Sequence, residues 1–115
     1  LLVSMGDGTP EGVTGVHVTE AAQAGDPVAL EAFRRVGHAL GRGMADLTAV
    51  LDPDRYVIGG GVSEAGQILL DPLVEAYEGA VVARSHRPAA TIVLAQLSND
   101  AGLIGAADLA RRLVL

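Results

Sequence analysis

Tyr56-Val57-Ile58-Gly59-Gly60-Gly61-Val62-Ser63-Glu64-Ala65-Gly66 is the stretch whose reading decides the fold. Three apolar, strand-forming residues run into three glycines, and a helix start follows. A strand that ends in bare backbone and turns into a helix N-terminus leaves a concave surface of N–H groups. Phosphate and ribose groups bind such surfaces, because no side chain blocks approach and the helix end carries partial positive charge. A glycine turn with no ligand fits the same local pattern.

Upstream, Asp52-Pro53-Asp54 closes a long helix, since proline cannot continue one. That helix opens at Asp26-Pro27, where Asp26 caps free N–H groups and Pro27 suits the first helical position. Phe33, Val36, Leu40, Met44, Leu47 and Leu51 step by three or four and fall on one face. Glu31, Arg34, Arg35, His38, Arg42 and Asp46 cover the other side. Gly37, Gly41 and Ala45 form a smooth stripe suited to close packing against another helix. Before it, Val18 to Ala24 reads as a short helix, with Thr19 as cap and Gly25 as stop. Residues 1–16, rich in Gly, Asp, Thr and Pro, read as loop or a truncated element.

Downstream, residues 62–70 read as a short helix, and Asp71-Pro72 starts another over 72–83. Arg84 and Arg87 flank a loop, Arg84-Ser85-His86-Arg87-Pro88. Thr91 to Leu97 has strong β propensity. Ser98-Asn99-Asp100 caps a last helix, about 101–113, with Leu103, Ile104, Ala107 and Leu113 or Val114 inward. Strands separated by helices imply a parallel α/β sheet. Two strands are too few for a self-sufficient sheet, so residues 17–115 read as part of a larger lobe.

Composition narrows the chemistry. All eight basic residues are arginine, which rules out a Schiff-base lysine or a Walker-type lysine in these 115 residues. A net charge of −6 argues against nucleic acid as a partner. No apolar run spans a bilayer. Cysteine is absent, so there is no thiolate nucleophile and no cysteine-ligated zinc, and a reducing cytoplasmic setting fits. His17, His38 and His86 lack metal-ligand spacing, and no nucleophile–base pair stands out, so no catalytic or metal residue is assigned. Asn99-Asp100, like the glycine run, sits beyond the carboxyl end of a strand, where open α/β sheets gather ligands. Capping of the last helix explains the same two residues, as first-turn placement explains Glu64.

The glycine stretch, together with Asn99-Asp100-Ala101-Gly102-Leu103-Ile104-Gly105-Ala106-Ala107 and His86-Arg87-Pro88, resembles the C-terminal lobe of the ROK family of repressors and sugar kinases. Val18-Thr19-Glu20-Ala21-Ala22, Gly25-Asp26-Pro27 and the glycine-striped helix share that likeness. Within the family it is nearest to glucokinases of the actinobacterial type. The resemblance covers about residues 12 to 112.

It implies an α/β, helix-rich C-terminal lobe fragment of an actin-like, ribonuclease-H-like ATPase fold with few strands. It implies that Gly59, Gly60 and Gly61 bring backbone to the ribose and α-phosphate of ATP, with Val62 and Ser63 beginning the adjoining helix. It also has Thr19 to Ala22 help wall the adenine. The family's phosphate loop, catalytic aspartate and cysteine-rich zinc motif have no counterpart in this chain. The resemblance therefore implies the C-terminal portion of an ATP–Mg²⁺-dependent hexose kinase of glycolysis, inactive alone, with zinc, if any, held by the parent elsewhere. The partners it implies are glucose, ATP, the rest of the same chain and further copies. The alternative within the family is the sugar-sensing part of a transcriptional repressor.

Overall fold

The computed structural model describes residues 1–82, 86 and 88–114. Arg84, Ser85 and Arg87 of the loop read over 84–88 lie outside the described residues. In chain order the elements are α1 (Leu2–Met5), a 3₁₀ turn (Pro10–Gly12), α2 (Gly15–Gln23), α3 (Pro27–Leu51), β1 (Arg55–Ile58) and a 3₁₀ turn (Gly61–Ala65). After these come α4 (Gln67–Ala80), β2 (Thr91–Leu94), a 3₁₀ turn (Ser98–Asp100) and α5 (Ala101–Leu113). The two strands are parallel, in the register Arg55↔Thr91 through Ile58↔Leu94. The molecule is a slab of 49 × 48 × 20 Å with a radius of gyration of 17.1 Å. A compact globule of 100 residues would have about 13 Å.

Helix α3 begins as its sequence dictates. The Asp26 carboxylate accepts from the N–H groups of Val28 (3.1 Å) and Ala29 (2.9 Å), and Pro27 takes the first helical position. The helix ends at Asp52, which turns left-handed at φ 44° ahead of Pro53. The short helix before it starts earlier than Thr19 predicts. Thr14 is the cap residue, and its N–H donates to Nδ1 of His17 at 3.1 Å. Gly25 ends it with φ +88°, a conformation that needs glycine.

The buried side of α3 is the smooth one. Ala29, Phe33, Gly37, Gly41, Met44, Ala45 and Thr48 are buried, whereas Val36, Leu40, Leu47 and Leu51 from the expected apolar face are exposed. The reason is the partner helix. A Cβ on Gly37 would lie 2.8 Å from Cγ of Pro72 and 3.1 Å from the carbonyl oxygen of Leu69. One on Gly41 would collide with the Leu73 carbonyl and sit 2.8 Å from the Tyr77 nitrogen. Helix α4 reaches α3 backbone to backbone at these two glycines, so the bulkier residues one step round the helix remain outside.

Pro72 lies inside α4 instead of starting a new helix. It removes one hydrogen bond, to the carbonyl of Ile68 in the first turn. Leu69, Leu73 and Tyr77 form an unbroken buried stripe across that point, and their burial holds the helix together. Strand β2 stops at Leu94, three residues short of the expected end, because its partner β1 stops at Ile58. Helix α5 forms where expected but buries none of its described residues: Leu103 and Leu113 are exposed. No side chain caps it either.

On the outer face, the Glu31 carboxylate takes hydrogen bonds from Arg34 (2.6 Å) and Arg35 (2.8 Å), which pull its pKa from the usual 4.5 to about 2. These pairs are exposed and add little to stability.

The glycines of α3 provide a test within one helix. Gly41→Ala places a methyl on the backbone of α4 and should cost about 1–3 kcal/mol by overpacking. Gly43→Ala meets nothing within 4 Å and should instead gain about 1 kcal/mol of helix propensity. Urea unfolding of the two variants should move in opposite directions.

Candidate functional site

A cavity of about 710 Å³ opens between α2, α3, the 3₁₀ turn after the glycines and Asn99. That volume suits a small organic ligand. Phe33 and Val36 of α3 form its apolar floor, and Val16, Val18 and Thr19 come from α2. Gly61, Val62 and Glu64 close it from the glycine turn. The Thr19 hydroxyl is already committed, donating to the Gly15 carbonyl at 3.0 Å. Glu20, Gln23, Glu64 and Asn99 therefore supply the polar groups at its edge.

The residues expected to bind occupy different stations. Gly59 lies beside the sheet, where a Cβ would meet that of Ala95 at 3.5 Å. Gly60 has φ +83° and ψ −179°, a region open essentially to glycine alone. Gly61 and Val62 line the cavity. Ser63 points inward: it is 5% exposed, and its hydroxyl donates to the Gly60 carbonyl at 2.6 Å. That bond locks the turn and uses the hydroxyl's only proton.

Two further expectations change. The glycines do not lead directly into an α-helix N-terminus. A 3₁₀ turn intervenes, and α4 starts only at Gln67, after Gly66 with φ 59°. The α-helix start at the cavity belongs to α2, through Gly15 and Val16. Thr19 and Glu20 border the cavity, whereas Ala21 and Ala22 are buried in the core beneath it. Asn99 reaches the cavity; Asp100 is not among its lining residues.

Sequence reasoning placed Thr19 to Ala22 of α2 at the site but missed Val16 and the part played by α3. The signal was available in Val36, an exposed valine one turn from the buried Phe33. An apolar residue on the edge of a buried stripe is where a helix changes from core to pocket wall.

The ROK family model matches residues 2–113 of the chain. A glucokinase of Streptomyces coelicolor is 45% identical over 111 residues, 96% of this chain and 35% of that relative. A glucokinase of Thermotoga maritima is 37% identical over 102 residues, 89% of this chain and 32% of that relative. Among solved structures, the ROK family glucokinase from Streptomyces griseus, in complex with glucose and AMPPNP, superposes with a TM-score of 0.87 at 44% identity. The match covers 96% of this chain and 36% of that one. The fold is therefore that of part of a sugar kinase of the actin-like ATPase class. The chain spans about a third of the length of these relatives.

The glycine turn makes its own prediction. Gly60→Ala should destabilise the chain by about 1–3 kcal/mol through backbone strain. Gly61→Ala, whose Cβ has open space and no positive φ to oppose it, should leave the thermal midpoint unchanged. Equal losses in the two variants would show that the turn does not divide its glycines this way.

Proposed function

Because this chain belongs to the ROK family, we propose that it forms the adenosine side of the ATP site of a cytoplasmic glucokinase. The enzyme would transfer the γ-phosphoryl of ATP–Mg²⁺ to the 6-hydroxyl of glucose. The observation that carries the reading is the bare wall at Gly61. This residue borders the cavity, and a Cβ there would meet nothing within 4 Å. Neither packing nor backbone conformation requires glycine there, and the bare backbone stands open to whatever enters the cavity. The similarity to a glucokinase solved with glucose and AMPPNP supports a nucleotide as that ligand.

In this reading the chain binds and orients; it does not react. Gly61 and Val62 let the ligand approach the backbone, and Phe33 and Val36 supply an apolar surface for a flat base. Gly60 and Ser63 set the shape of the turn from behind. The proton acceptor for the sugar hydroxyl and the γ-phosphate contacts come from the rest of the enzyme. Lobe closure would then exclude water from phosphoryl transfer, which depends on positioning and charge stabilisation. Further copies of the enzyme complete the assembly we propose.

Two experiments test this. Gly61→Val puts a branched side chain at the cavity wall where a Cβ has open space, so AMPPNP affinity should fall at least about tenfold, or 1.4 kcal/mol, at unchanged thermal stability. Unchanged affinity would sink the assignment. Separately, this chain can replace the matching 36% of the Streptomyces griseus glucokinase. The chimera should phosphorylate glucose with ATP, and the chain alone should not. A folded but inactive chimera, or activity in the isolated chain, would count against the proposal.

A further inference from the structure

Helix α2 begins with a capping box of uncommon chemistry. Thr14 is the cap residue, and three places on, where such a box ordinarily has Glu or Gln, stands His17. The Thr14 N–H donates to Nδ1 of His17 at 3.1 Å. A glutamine in that place accepts at every pH. An imidazole accepts only while one of its nitrogens carries no proton. The bond therefore belongs to the neutral side chain, with its proton on Nε2 and Nδ1 committed to the cap. A second proton makes both nitrogens donors, and the Thr14 N–H then faces a donor and loses its partner. The same proton puts a full positive charge on the first turn of a helix, whose end already carries about half of one.

The surroundings do not take over the cap. No ion pair among the described residues includes His17. The carboxylate of Asp7, in the loop before α2, is turned to Thr9. Helix α1 carries no charged side chain, and α3 shares with α2 the apolar cluster of Ala21, Ala22, Ala29 and Phe33. The remaining charged groups are Glu20, on α2 itself, and Glu64, on the glycine turn. Both are acceptors, and neither can return an acceptor nitrogen to His17. What the box holds is a wall of the cavity, since Gly15 and Val16 of the capped turn line it.

We infer that His17 makes this wall responsive to acid: the first turn of α2 is capped while His17 is neutral and loosens when it takes a second proton. The cap responds in this way whatever the cavity binds.

Amide hydrogen exchange of the chain tests this at about pH 8 and about pH 5, the range over which histidine changes charge. After correction for intrinsic exchange, protection of the Thr14 amide should fall about fivefold on acidification, the weight of one hydrogen bond. His17→Gln keeps a capping-box acceptor at both pH values, so its Thr14 protection should change less than about twofold. His17→Ala should lack the protection at both. His38 and His86 are present in all three chains, so the comparison isolates His17. Equal protection of the wild-type Thr14 amide at the two pH values would overturn the inference. So would an equal loss in His17→Gln, or full protection at about pH 8 in His17→Ala.

Discussion

Everything in this chain depends on the contact between α3 and α4 at Gly37 and Gly41. A helix pair that meets through side chains leaves room between its backbones; here the backbone of α4 lies against α3 at Leu69, Leu73 and Tyr77. That approach divides the core into two clusters along one seam. Ala29, Phe33 and Leu69 lie on one side of the contact, and Met44, Leu73 and Tyr77 on the other. It also brings three hydroxyls together. The N–H of Ala90 donates to Tyr77, Tyr77 to Thr48, and Thr48 to the Met44 carbonyl, which also accepts from Tyr56, all within 3.1 Å. This assignment gives each hydroxyl proton one acceptor. The Tyr56 and Tyr77 rings meet edge to face at 5.9 Å. Strand β1 is thereby bonded to α3 through Tyr56, and the approach to β2 is bonded to α4 through Ala90. Two four-residue strands would be marginal alone; they are held because the helices behind them are.

The site inherits its position from the same seam. Phe33 lies one helical turn before Gly37 and is at once a member of the first cluster and part of the cavity floor. Ile58, the last residue of β1, packs against both clusters and delivers the chain to Gly59. The glycine turn thus leaves a strand fixed by Tyr56 and arrives beside a helix fixed by Gly37. A shift of α4 along α3 would move both cavity walls.

Much of this was legible in the residues, and the failures share one cause. Asp26-Pro27, Gly25, Asp52-Pro53 and the strand through Tyr56-Val57-Ile58 are local signals, and each appears in the structure where it was read. The long-range choices were harder. Two faces of α3 competed for the core: six large apolar residues, and a stripe of glycine and alanine. Periodicity favours the first, because it measures side-chain hydrophobicity and cannot see how close a neighbour comes. The break placed at Pro72 was lost to the same effect, since a stripe running from Leu69 to Tyr77 outweighs one missing hydrogen bond. At the site, the glycine run was read as the turn that leaves the strand, and Gly61 and Val62 of it border the cavity. The glycines could not indicate that Ser63 faces inward, or that Val16, Phe33 and Val36 join the cavity wall, since those residues meet only through the fold.

The glycine triplet also shows why a motif is not a unit of function. Its three members face three different constraints. Gly59 meets the sheet at an ordinary contact distance and tolerates a methyl group. Gly60 is held by backbone conformation, with its carbonyl taken by Ser63. Gly61 is constrained by nothing inside the molecule. A glycine required for folding and a glycine required by a ligand look identical in sequence. They separate only when the space around each is measured and the backbone angle is known. Here that separation assigns the shape of the turn to Gly60 and its open surface to Gly61, so the part of the motif that can bear a ligand's demand is one residue wide.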